Sequence, residues 1–385
     1  MIKNKLTIPV MAFSAGSIVA NVYYCQPILS KIAETTGSSE SMVGKISVLT
    51  QVGYGLGMFF LLPLGDKVNR KKLILLICTV LISSLVAISF TERLQILLIL
   101  SFLIGVLSTP AQIILPMAAV LDKENRGKNV GIVFSGILCG ILSSRVIAGS
   151  LTDWWGWHSI YLFSAVMVSV SSLLMWFYLP DFEAKFKGSY AKLLSSTLGL
   201  IANFKILRQS ALLGSFTFGV FCSFWTTLTF YLNGEPFNYS SSTIGMFGII
   251  AIGGALVAPY FGKAADKGNV FKNLFFTVSL ILVSIISMLI FPTSIWVLSV
   301  AIFFLDIGVQ ATQITNFTRI YSLNESAHSR LNTVYMTTYF IGAGTGTFFG
   351  LLSWSMGGWH FALLQMLLWS SLALCIVFLS KKGML

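Results

Sequence analysis

The sequence predicts an all-α membrane protein of twelve transmembrane helices, arranged as two six-helix bundles related by a pseudo-two-fold axis along the membrane normal. Three observations carry this. First, 56% of residues are hydrophobic, only 10% are charged and the mean hydropathy is +0.84, whereas a soluble chain carries about 25% charged residues. Second, twelve apolar runs are each long enough to cross a hydrocarbon core, which takes about 20 helical residues. Third, small residues and turns recur at an offset of 202 or 203: Gly16 with Gly219, Gly105 with Gly308, Gly140 with Gly342, and Gly156-Trp157-His158 with Gly358-Trp359-His360. Each match sits at the same place in its half. With six spans per half, the two copies share one orientation, the parallel repeat geometry of transporters whose site lies between halves.

Taken in order, the runs are 8–30, 42–64, 73–90, 94–121, 129–152, 158–179, 209–232, 242–262, 273–291, 294–317, 331–355 and 359–380. The first follows Lys3 and Lys5 but is too long for a signal peptide, so it reads as a retained span. Residues 1–180 form the N-terminal bundle, 181–207 a linker and 208–385 the C-terminal bundle. Within the linker Tyr190, Leu193, Leu194, Leu198, Ile201 and Phe204 recur at helical spacing beside Lys192 and Lys205, as in a helix lying on the inner leaflet.

An even number of spans puts both termini on one side. Of 25 Lys and Arg, 21 fall on that side, three (Lys31, Lys45, Arg93) on the other, and Arg145 lies within a span. Positive charge collects in cytoplasmic loops, so both termini are expected in the cytoplasm of a multi-pass inner-membrane protein. The same asymmetry accounts for the net charge of +12 without nucleic acid. The five cysteines lie in apolar runs with no paired spacing and read as small buried residues.

Two loops echo one another. Leu64-Gly65-Asp66-Lys67-Val68-Asn69-Arg70-Lys71-Lys72, after span two, is answered by Gly262-Lys263-Ala264-Ala265-Asp266-Lys267-Gly268, after span eight. An Asp near a helix start is favoured by the helix dipole, and its repetition with Lys suggests a gate rather than an ordinary basic loop.

These residues resemble the major facilitator superfamily over essentially the whole chain. Asp66, Lys67, Arg70 and Lys71 match that family's cytoplasmic motif, with Leu62 and Asn69 in place of two glycines, and the second copy keeps Gly262, Asp266 and Lys267. The resemblance implies that this loop closes the cytoplasmic side through charge contacts between helices. Span five resembles the glycine frame of the family's drug antiporters at Gly131, Gly140, Ser144-Arg145 and Ala148-Gly149, with Arg145 where those proteins have proline. Small residues at this spacing let helix backbones approach, which assigns helix packing to Gly131, Gly140 and Gly149. Ser101 stands where the family's span four has a proton-relay arginine. Asn21-Val22-Tyr23-Tyr24-Cys25-Gln26-Pro27 and Leu142-Ser143-Ser144-Arg145 are nearest to a bacterial branch of drug and metabolite exporters.

The resemblance further implies a cavity walled by spans one, four, seven and ten. Its candidate lining is Asn21, Tyr24, Gln26, Gln112, Trp225, Gln310 and Gln313, with Phe221, Thr226, Tyr231, Thr312 and Asn316 nearby; Arg145 in span five joins it as a substrate-binding candidate, the counter-charge for an anionic substrate. Asp306, the acidic residue deepest in a span, is the candidate for proton coupling, because low dielectric penalises an unpaired carboxylate; the alternative is a structural Asp paired with Arg145. Counting about 1.5 Å per residue from the outer ends of the runs puts Arg145 about 10 Å deep and Asp306 about 18 Å, a difference a long Arg side chain can cover.

The reading is therefore a monomeric secondary transporter without a cofactor, its partners being a small-molecule substrate, protons and the bilayer. Proton-coupled export of small amphipathic compounds is the first expectation; import or facilitated passage of a polar or anionic metabolite is the alternative. The sequence has no HExxH, GxSxG or GxxxxGK[ST] pattern that would point to an enzyme or an ATPase. His158 and His360 follow Gly-Trp at the outer surface, where the tryptophans are expected to anchor helices at the interface.

Overall fold

A computed structural model describes residues 5–121, 126–182, 188–251, 253, 270–324 and 327–382, and every described element is helical. The elements are α1 (Thr7–Val19), α2 (Leu29–Thr36), α3 (Glu40–Lys67), α4 (Arg70–Ile88), α5 (Leu94–Leu107), α6 (Pro110–Leu121), α7 (Arg126–Trp155), α8 (His158–Tyr178), α9 (Tyr190–Asn203) and α10 (Lys205–Asn233). Then come α11 (Ser241–Ala251), α12 (Val270–Ile290), α13 (Ile295–Tyr321) and α14 (His328–Lys381). α14 contains two spans, divided where Gly358 takes a φ of +62°. With α1–α2 and α5–α6 each forming one broken span and α11 the described part of span eight, the elements fill the twelve expected crossings.

Spans one and four are not the continuous helices expected. Between α1 and α2 the chain tightens into two 3-10 turns, Ala20–Val22 and Gln26–Ile28, with Tyr23 N–H donating to Ala20 O at 2.9 Å and Gln26 N–H to Tyr23 O at 3.2 Å. Pro27 is the local cause, since it has no N–H to give and restricts the residue before it. Pro110 does the same between α5 and α6, where it occupies a first helical position that needs no donor. Span five, which has arginine at the antiporter proline position, is one unbroken helix of 30 residues.

Close approach of helices explains much of the repeat. A Cβ on Gly140 would run into the backbone of Gly16, and one on Gly136 into that of Ala12, so α7 lies directly on α1. In the second half a Cβ on Gly342 would meet Ser215, and one on Gly346 would meet Gly219, setting span eleven on α10 in the same way. Gly105 and Gly308 differ: the first abuts Thr50 of α3 and the second Thr277 and Ile281 of α12. The assignment of Gly131 is corrected, because its Cα faces open space, exposed at the beginning of α7. Gly149 does pack, against Ser241.

The repeated Gly-Trp-His is a turn before it is an anchor. Gly156 at φ +80° and Gly358 at φ +62° occupy the left-handed region that suits glycine. Trp157 and Trp359 are buried, contrary to the interfacial expectation: Trp157 Nε1 donates to Thr35 Oγ1 at 3.2 Å, and Trp359 stacks on Tyr231 with ring centres 4.5 Å apart. The neighbouring Trp154 and Trp155, 70% and 72% exposed, hold the outward positions instead.

Two antiparallel helix pairs join the halves. α3 runs beside the first part of α14 through Glu40 to Trp354 Nε1 (2.8 Å), Gln51 Oε1 to Thr347 Oγ1 (2.8 Å), Gly44 against Leu351 and Gly55 against Phe340. α7 meets α11 through Asp153 Oδ2, which accepts from Ser242 N–H at 2.8 Å, and through the Ser150 and Ser242 hydroxyls 3.4 Å apart. In the linker, α9 buries Leu193, Thr197 and Leu200 against the protein while Leu198 and Ile201 face outward. It is tied to both halves by Tyr190, whose hydroxyl donates to Phe60 O, and by Ser196, which accepts from Arg330 at 3.3 Å.

Candidate functional site

Arg145 is 1% exposed and lies on the α7 face that α11 approaches. That approach depends on two small residues: a Cβ at Gly245 would strike the Arg145 carbonyl oxygen, and one at Gly248 would sit 3.3 Å from Arg145 Cβ. Arg145 Nε donates to Gln26 Oε1 at 3.2 Å, and the Gln26 carbonyl accepts from Thr229 Oγ1 of α10 at 2.8 Å. The irregular part of span one thus links α7 to α10.

Aromatic rings frame the guanidinium. Its Cζ is 4.3 Å from the Trp225 ring centre, 5.4 Å from Tyr23 and 5.6 Å from Phe221, all within the range of cation–π attraction. Yet Nη1 and Nη2 are buried with no hydrogen-bond partner among the described residues.

Asp306 on α13 is also 1% exposed, and its Oδ2 is buried without a partner among the described residues. The two ionic groups lie within each other's electrostatic reach but make no ion pair, so the direct pairing weighed from sequence is not formed. The helix ends revise the depths. Ten residues below Trp155 and eleven below Ile295, Arg145 and Asp306 lie about 15 and 16 Å from their outer helix ends. Around this centre, Gln26 Nε2 and Trp225 Nε1, on side chains that touch Arg145, and Thr226 Oγ1 are also buried without a partner among the described residues, as are several atoms elsewhere in the protein.

The other sequence candidates divide. Asn21 turns away from this centre: its amide donates to Ser17 O (3.2 Å) and Ile18 O (3.0 Å), and its Oδ1 accepts from Ser164 at 2.6 Å. Asn21 thus ties span one to α8, and Tyr24 is buried nearby on the same segment. Gln112 is half-buried. Gln310 and Gln313 are half-buried on α13, with Gln313 Nε2 3.8 Å from Met336 Sδ. Thr312 pairs with Thr277 at 2.8 Å, Asn316 donates to Ser210 O at 3.3 Å, and Tyr231 donates to Pro292 O at 2.6 Å.

Among the gating candidates, Arg70 Nη2 meets Asp66 Oδ1 at 2.6 Å and its Nε donates to Gly65 O at 3.0 Å. This clasp lies between α3 and α4 of one half. Lys67 is exposed and Lys71 half-buried; Asp266 and Lys267 lie outside the described residues.

A family model described as Major Facilitator Superfamily matches residues 11–347. The chain belongs to that superfamily. Its relatives include the "Putative uncharacterized transporter YgaY" of Escherichia coli strain K12, 37% identical over 371 residues and covering 94% of each chain. A "Probable sugar efflux transporter" of Helicobacter pylori strain G27 is 24% identical over 361 residues, covering 89% of this chain and 87% of that one. Among solved structures, a bacterial homolog of the human lysosomal transporter Spinster, inward-facing and unoccupied, superposes with a TM-score of 0.78 at 12% identity, covering 99% of this chain and 98% of that one; this likeness speaks to fold alone. Superfamily membership makes the chain a multi-pass transporter, not an enzyme.

Sequence reasoning missed Tyr23, Gly245 and Gly248. Tyr23 lies inside the span-one run Asn21 to Pro27, and the two glycines lie three residues apart, one turn of helix, in span eight. Which helices meet at those glycines is a tertiary fact, and no local pattern encodes it.

Proposed function

We infer that this superfamily member is a proton-coupled secondary transporter that exports small amphipathic compounds by alternating access. The observation that carries the reading is a pair of buried ionic groups that make no ion pair, Arg145 from the first half and Asp306 from the second, each with polar atoms that have no partner among the described residues. A closed ion pair would engage the guanidinium and the carboxylate with each other, whereas a site that gains and loses a ligand and a proton must have such atoms free at one stage. The efflux relative agrees in direction, and the packing of Gly140 and Gly149 agrees with the antiporter-like frame. In this reading residues 1–180 and 208–385 rock about the site with both termini cytoplasmic, and the Asp66–Arg70 clasp with Asp266 and Lys267 belongs to the cytoplasmic gate.

The unpartnered guanidinium favours one alternative, uptake or facilitated passage of an anionic metabolite. A single comparison separates the two. Cells overproducing the protein should tolerate at least one amphipathic compound better than cells producing Asp306→Asn. Everted vesicles should then accumulate that compound when their interior is acidified. Equal tolerance in both strains across a broad panel, or accumulation indifferent to the proton gradient, would reject proton-coupled export.

A further inference from the structure

The same site also points to the charge of its ligand, an inference that rests on the transporter reading above. Arg145 and Asp306 have opposite signs and are both buried, yet neither closes on the other. A purely anionic ligand would satisfy the arginine and leave the carboxylate bare, and a cationic ligand would do the reverse. In proton antiport the substrate-loaded state has no proton on Asp306, so either outcome leaves one buried charge unpaired, which is costly. The formal charges of the pair cancel, so a ligand that satisfies both carries one charge of each sign.

The unpartnered atoms are sorted by type. Nη1 and Nη2 of Arg145 and Nε2 of Gln26 are donors that need acceptors, and Gln26 Oε1 is already held by Arg145 Nε. A carboxylate is an acceptor with the planar fork that a guanidinium matches. Oδ2 of Asp306 is an acceptor that needs a donor, and an ammonium is a compact group with three. The Trp225 and Phe221 rings add apolar surface beside the guanidinium.

We propose that the substrate is a zwitterion of the amino-acid class, its carboxylate on Arg145 and Gln26, its ammonium on Asp306 and its apolar or aromatic side chain against Trp225 and Phe221. An ammonium and a proton are then alternative partners for one carboxylate. Their mutual exclusion is what antiport requires.

The test uses the full-length purified protein and three probes: L-phenylalanine, 3-phenylpropionate, which lacks the ammonium, and phenethylamine, which lacks the carboxylate. L-Phenylalanine should bind at least tenfold more tightly than either analogue, because a site built for a polar group rejects a ligand lacking it. In Arg145→Gln the advantage over phenethylamine should vanish while that over 3-phenylpropionate remains; in Asp306→Asn the losses should be reversed. Size-exclusion profiles and thermal transitions check that each variant is folded. Equal binding of 3-phenylpropionate to the unaltered protein would make the site anionic-selective, equal binding of phenethylamine would make it cation-selective, and binding of none of the three would remove the amino-acid class; each overturns the proposal. The vesicle measurement is independent, so proton-driven export of another compound would survive any of these failures.

Discussion

A guanidinium in a bilayer needs a reason at the level of single atoms. Insertion of a central arginine costs about 2.5–3.5 kcal/mol. Cation–π contact with a desolvated aromatic returns about 2 kcal/mol, and the Nε hydrogen bond to Gln26 roughly 1.5–3 kcal/mol. Those gains, about 3.5–5 kcal/mol together, exceed the insertion cost, but Nη1 and Nη2 stay desolvated, which takes back about 1–3 kcal/mol or more. Arg145 therefore brings little or no net local stability. Because Arg145 makes no ion pair and leaves Nη1 and Nη2 without partners, Arg145→Met removes no salt bridge and should leave the melting transition of the purified protein little changed while abolishing transport. A large fall in stability would instead mark a structural arginine. Asn21 gives the opposite expectation. With all its polar atoms engaged by span one and Ser164, Asn21→Ala should cost about 1–3 kcal/mol of stability and leave the substrate Kd unchanged. Its composition, a buried amide in span one, matches that of Gln26, and only the direction of the side chain separates the two.

At the level of elements, the spans and their repeat could be read in the sequence because apolar length and offset are one-dimensional properties. The 202-residue echo of Gly140 and Gly342 has a physical basis: each glycine lets one helix lie on the first helix of its own half. The antiporter-like frame was a less reliable guide, since it includes Gly131, which meets nothing, and passes over Gly136, which abuts Ala12. A motif records which positions are small, whereas packing depends on which of them face a neighbour. The contrast can be tested on one helix. Gly140→Leu should sharply lower the yield of folded protein, because the obstacle is backbone and overpacking of this kind costs about 1–3 kcal/mol or more. Gly131→Leu should express and transport as the unaltered protein does, and equal damage from both would contradict the packing described.

For the whole molecule, the sequence indicated a two-fold repeat but not where its halves touch, because those contacts join residues 89 to 314 positions apart. Thr347 Oγ1 donating to Gln51 Oε1 and the Ser242 backbone N–H donating to Asp153 Oδ2 join helices of different halves, with no counterpart in local pattern. They matter because Arg145 and Asp306 are both sealed, so a ligand reaches them only if a seam parts. The seam of α7 with α11 crosses nearest to Arg145, since Gly245 and Gly248 touch that residue. Its outer end offers a direct test at Ser150 and Ser242, whose hydroxyl oxygens are 3.4 Å apart. Cysteines at both positions, Ser150→Cys with Ser242→Cys, should form a disulfide under mild oxidant, given compatible Cα separation. If the halves rock about the buried charges, the cross-link should stop transport and a reductant should restore it, while either single cysteine should be insensitive to both reagents. Undiminished transport by fully cross-linked protein would mean that this seam never opens, and that the route to Arg145 lies elsewhere.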